Sequence, residues 1–210
     1  MSVWWPAVIG LHTQIRAVST GSSHLLMRTS PACQECWYNQ HMDDAVVLER
    51  AWSLVNEAMF TIALQHRRLH SIEPEDDIFI LRWWADLQLL IVALTRVRRA
   101  AGVAARVPKV AAPITAAIQV FDQAIPNLRV MRNVGEHIDD YAVDGPRRRH
   151  KEVTHQQLQV GTWDGTVFKW LGKQQLRELN VDHVLTAAEN LHSAVRGAVG
   201  TYREASGRLR

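Results

Sequence analysis

Apolar residues recur at the helical period over long stretches of this chain. Val47, Ala51, Leu54, Val55, Ala58, Ile62 and Leu69 fall on one stripe and predict an amphipathic helix. Its first turn holds Asp43-Asp44, two acids suited to the positive end of a helix dipole. A second helix is expected to open at Glu73-Pro74-Glu75-Asp76-Asp77, with proline and acids in the first turn. From Ile78 to Leu94 it is apolar on most sides, through Phe79, Trp83, Trp84, Leu87, Leu90 and Ile91, as a central helix covered by neighbours would be. Arg96, Arg98 and Arg99 are placed in its last turn and Gly102 at its C-cap. A shorter helix from about Pro113 carries Ile114, Ile118, Phe121 and Ile125, and Pro126 closes it. Asn127 can then cap a helix over 128–142. The last helix starts at Asn180, has Asp182 in its first turn, and lines up Val184, Ala188, Leu191, Val195, Ala198 and Tyr202.

Before that last helix the period changes from 3.6 to two. Leu158, Val160 and Thr162 alternate toward Asp164-Gly165, a strong hairpin signal, and Thr166–Leu171 returns. A two-residue turn would set Trp163 opposite Thr166 and Thr162 opposite Val167. Leu158, Val160, Val167 and Leu171 would share one face, and Trp163, Phe168 and Trp170 the other. Apolar groups on both faces predict a hairpin sandwiched on both sides, either in its own chain or in a dimer. The fold class is therefore mainly α, a bundle of four to five helices with a β-hairpin insertion at about 152–171. The bundle domain covers 42–210.

Residues 1–41 show no sustained period and read as an irregular N-terminal leader; an over-extended start, with Met27 or Met42 as the first residue, is the alternative. This segment holds Cys33-Gln34-Glu35-Cys36, half of a zinc site by spacing, to which His24 or His41 could add a ligand. With no second cysteine pair, incidental thiols are the simpler account, and no metal or other cofactor is assigned. Two cysteines in the chain give no disulfide framework and point to a reducing cytoplasm. The longest apolar run, Leu89–Leu94, is far short of a membrane span.

The formal charge is only +3, but 20 of the 24 basic residues are arginine, the side chain that reads phosphate bidentately. A GC-rich coding preference would produce the same bias. Arg96, Arg98 and Arg99 suit either a phosphate-binding patch or a helix end that complements its dipole. His66 and His70, at i and i+4 near the end of the first helix, have the spacing of a metal pair, but no third ligand is evident in the sequence. The dipole at a helix C-terminus favours histidines there without any metal.

The densest chemistry lies between Arg129 and Tyr141, where two arginines, an amide, a histidine and three carboxylates occur within thirteen residues. At 100° per residue, Leu128, Met131, Gly135, Ile138 and Ala142 form a core stripe. Arg129, Arg132, Asn133, Glu136, His137 and Asp140 fall on the opposite side. Gly135 in the stripe allows close approach by another helix. Asn133 can orient His137 at i, i+4, and Arg132 can pair with Glu136. Arg132 and His137 stand about 140° apart, so a site using both needs two copies of the helix, hence a dimer.

Arg132-Asn133-x-x-x-His137 resembles the Arg-x4–6-His motif of HEPN domains (higher eukaryotes and prokaryotes nucleotide-binding), in which a polar residue, often Asn, follows the arginine. Arg148 or Arg149 with His155, and Arg177 with His183, also fit the spacing, but only Arg132 lies on an amphipathic helix with Asn directly after it. The resemblance implies an all-α, usually dimeric bundle across about 43–205, with the hairpin as an elaboration. It also implies a metal-independent endoribonuclease of toxin or defence type, as many members are in toxin–antitoxin, abortive-infection or CRISPR systems. The chemistry is self-consistent: RNA carries its own 2′-OH nucleophile, histidine moves protons near neutrality, and arginine offsets phosphoryl charge. His137 would be the acid/base, Arg132 the phosphate stabiliser and Asn133 the orienting amide. Arg129 and the basic run Arg147, Arg148 and Arg149 would hold the RNA backbone. The carboxylates Glu136, Asp139 and Asp140 oppose this reading, because they repel a phosphate or silence the arginines. The alternative is a helical module that binds a partner, such as an antitoxin, without catalysis. P-loop, dinucleotide, nucleophile-elbow and His-Glu-x-x-His motifs are absent.

Overall fold

The computed structural model describes residues 43–73, 81–171 and 177–207. The Cys33/Cys36 pair, His24, His41, the leader and most of the predicted start of the second helix lie outside these ranges. The described fold is mainly helical, with six α-helices and a three-stranded antiparallel sheet before the last of them. In chain order the elements are α1 (Asp44–His70), α2 (Arg82–Ala104), α3 (Ala111–Ala124), α4 (Leu128–Glu136), α5 (Ile138–Ala142), β1 (Thr162–Trp163), β2 (Val167–Trp170), β3 (Arg177–Asn180) and α6 (Val181–Gly207). No described helix is long and apolar enough to cross a membrane.

The core forms where the apolar stripes meet. α2 packs against α1, α3, α4 and α6, which is the central position its all-round hydrophobicity predicts. Ala51, Val55 and Ile62 of α1, Leu87, Leu90, Ile91 and Leu94 of α2, and Val184, Leu191 and Val195 of α6 are buried together. Asp43 caps α1 by accepting from the Ala45 amide at 3.1 Å, and Asn180 caps α6 by accepting from the His183 amide at 2.8 Å. α2 runs through Gly102 to Ala104, so Gly102 is not its C-cap, and Arg96, Arg98 and Arg99 sit before its last turn. Side-chain substitution at Gly102 would meet nothing nearby, so no steric demand stops the helix there.

A buried charge network ties the end of α1 to the start of α2. Asp86 is only 3% exposed. It accepts from Arg68 Nε and Arg82 Nη1, both at 3.0 Å. Arg82 also donates to the carbonyls of Arg68 and Ser71. These bonds supply the partners that a buried carboxylate requires.

The hairpin is present, but its register differs from the expected one. Thr162 pairs with Lys169 and Trp163 with Phe168, two residues along from the two-residue-turn prediction. The cause is local. The Asp164 carboxylate accepts from the Thr166 and Val167 amides at 2.9 and 2.7 Å, which widens the loop, and Gly165 takes φ +99°. Those amides, Val167 first, hold the Asp164 carboxyl below its ordinary range. A shift of two preserves the faces. Phe168 and Trp170 therefore still point the same way, buried edge-to-face against Trp83 and Trp84 of α2. Gly161 lies so close to Lys169 and Phe168 that a Cβ would clash with both. Within one chain the sheet packs on the core mainly by one face: Val160 is exposed and Val167 and Lys169 are half-buried, although Leu171 of the same predicted face is buried. β3, which pairs with β2, was not expected from the sequence.

Candidate functional site

α4 follows Pro126 and buries Leu128, Met131 and Val134. Asn127 stands at its N-cap, but the side chain makes no capping bond; its oxygen accepts from Arg177 Nη1 at 3.0 Å instead. The predicted continuous helix stops at Glu136. His137, at φ −122° and ψ 38°, separates α4 from α5. The break turns Ile138 and Ala142 out of the core stripe, and Tyr141 takes their place inside. Gly135 does permit a close approach, since a Cβ there would stand 3.0 Å from the Gln88 side-chain oxygen on α2.

The three predicted catalytic side chains are not brought together in one chain. Arg132 pairs with Glu136 and donates to Asn133 Oδ1 at 3.0 Å. Asn133 is 5% exposed, not on the solvent face. Its amide lies 3.2 Å from His150 Nε2, so it orients His150 and not His137. The amide NH2 donates there, which leaves the His150 proton on Nδ1, 3.4 Å from Glu152 Oε1. The His150 backbone amide donates to the buried Tyr141 hydroxyl at 3.1 Å. His137 is exposed, and its side chain has no hydrogen bond or ion pair among the described residues.

The predicted backbone-holding arginines divide. Arg148 is structural: it bonds Asp144 at 2.5 Å and the carbonyls of Val153 and Gly145. Arg147 is exposed and lies outside the groove described next. Arg129 and Arg149 line that groove, of about 470 Å³, with Arg98, Arg99 and Arg132. Thr95, Asn133 and Asp122 complete its polar wall. Five arginines and one carboxylate make the groove strongly positive. Arg98 is held by Asp122 through two bonds of 2.6 Å, which raise its guanidinium pKa further, and Arg132 is held by Glu136. Arg99, Arg129 and Arg149 have no hydrogen bond or ion pair from their side chains among the described residues. Arg132 also keeps a buried Nε–H with no acceptor. An orphan donor beside unpaired cations marks a place for an anion.

Sequence reasoning noted the Arg96–Arg99 cluster and the 129–149 arginines separately; what it missed was that α2 and α4 bring them into one groove. It also missed His150 as the partner of Asn133, for which no sequence signal existed beyond a basic run. The chain matches no family model, no curated protein and no solved structure.

Proposed function

We propose that the chain binds RNA along its phosphate backbone in the arginine groove and, as a dimer, acts as a HEPN-like metal-independent endoribonuclease of toxin or defence type. The observation that carries this reading is the groove itself. Arg99, Arg129 and Arg149 stand uncompensated around it, and guanidinium forks match phosphate oxygens bidentately. His137 supports the catalytic half. It leaves the helix at a break, is solvent-exposed, and is free to meet a substrate or a second copy. In that role it takes the 2′-OH proton or protonates the leaving 5′-oxygen, while arginine offsets the charge on phosphorus.

A second reading, RNA binding without cleavage, is favoured by one specific fact: Arg132 and Asn133 are both engaged within the chain, by Glu136 and His150. One experiment separates the two. Purified protein is incubated with a structured RNA in EDTA, beside His137→Ala, His150→Ala and the Arg99→Ala/Arg129→Ala/Arg149→Ala variant. The nuclease reading expects cleavage that His137→Ala abolishes without loss of RNA binding. Binding with no cleavage by any form selects the module. In both cases the triple arginine variant binds more weakly, and its slope of log affinity against log salt is shallower by about 2, at roughly 0.7 per lost single-strand phosphate contact. An unchanged slope would remove the groove from the reading.

A further inference from the structure

We propose that His66, His70 and Asp182 form a site for one divalent transition metal of the zinc class, joining the end of α1 to the start of α6. His66 and His70 lie one helical turn apart in the last turns of α1, and Asp182 lies in the first turn of α6. The three ligand atoms all fall within 4.8 Å of one another. Asp182 Oδ1 is 2.7 Å from His66 Nε2 and 3.4 Å from His70 Nε2. Zinc bonds of about 2.0–2.1 Å in tetrahedral geometry place neighbouring ligand atoms roughly 3.3 Å apart, so small side-chain rotations admit the ion.

A second feature points the same way. His70 turns its Nδ1 to the His66 carbonyl oxygen at 3.1 Å. Donation there keeps the proton on Nδ1 and leaves the Nε2 lone pair facing the carboxylate, the orientation that metal-bound histidines need. The imidazole rings stack at 4.5 Å and 25°, so their nitrogens are presented side by side. Asp182 and His70 are exposed, which leaves at least one coordination position to water or a ligand. The site shares no residue with the arginine groove, so it stands or falls independently of the function proposed above.

The full-length protein, stripped with a chelator and dialysed, is titrated with zinc chloride against a chromogenic competitor. The wild type and a Cys33→Ser/Cys36→Ser variant are each expected to take up one tightly bound zinc. His70→Ala and Asp182→Asn are expected to bind it about 100-fold more weakly or worse. Zinc should raise the thermal midpoint of the wild type and leave that of His70→Ala unmoved. Cobalt(II) should give a visible ligand-field band that Asp182→Asn, a near-isosteric change on an exposed side chain, abolishes. The proposal is overturned if no zinc is taken up, if His70→Ala and Asp182→Asn bind as the wild type does, or if uptake disappears only with the cysteines. In those cases the cluster is a hydrogen-bonded His–Asp contact.

Discussion

Two arginine clusters in this protein have opposite roles. Around Asp86, Arg68 and Arg82 spend their guanidinium groups on one buried carboxylate and on the carbonyls that end α1. In the groove beside α4, Arg99, Arg129 and Arg149 make no ion pair or side-chain hydrogen bond among the described residues. The residue type is the same, so the difference lies in what the fold sets opposite it. A guanidinium closed by protein acceptors holds helices together; one left open is available to a phosphate. Arg98 and Arg132 stand between these limits, since each lines the groove while paired with an acid.

The largest effect expected from this contrast is at Asp86. Asp86→Ala would remove a buried carboxylate that two arginines share, while Arg82 keeps its carbonyl acceptors, and should cost about 3 kcal/mol of stability, read as a lower urea midpoint. A cost near zero would mean that the network is a solvated surface pair. A smaller loss, about 1–3 kcal/mol, is expected for Asn133→Ala, which strips His150 and Arg132 of a buried amide. Its pattern sharpens the comparison, because it should disturb stability and groove together. The smallest effect belongs to the open arginines. The Arg99→Ala/Arg129→Ala/Arg149→Ala protein should unfold within about 0.5 kcal/mol of the wild type per position, while its RNA affinity falls. Should it lose as much stability as Asp86→Ala, the division into closed and open clusters fails.

Legibility in the sequence followed the same line. The stripe of α1 was readable because burial of Ala51, Val55 and Ile62 is decided by a 3.6-residue period that short-range geometry sets. The central place of α2 was readable because Trp83, Leu87 and Leu90 carry apolar groups round most of its circumference, leaving only a narrow strip with Leu89 and Arg96 to meet water. The hairpin faces were readable too, although the loop was not. Asp164 took two amides of its own chain and moved the register by an even step, which periodicity cannot detect. The stop at Glu136 was hidden for a related reason. Gly135 stands one residue before the stop, but Gly102, which by propensity could equally have ended α2, did not, so propensity alone could not place the break.

Polar partners lay beyond reach altogether. Asn133 was read as the neighbour of His137 at i, i+4, yet it is bonded to His150, which arrives over a turn that the period does not describe. His66 and His70 had the spacing of a ligand pair and lacked a third member. Asp182 supplies it from 116 residues beyond His66. By itself the sequence determined which segments would be helical, the apolar stripes of the long helices, and that arginine was abundant, because these depend on contacts within a few residues. Tertiary structure alone decided which arginines are neutralised, which converge in the groove, and where the histidines find a carboxylate. Electrostatic and hydrogen-bonding partners are set by distance in space, and α2, α4 and α6 bring together groups that the chain keeps far apart.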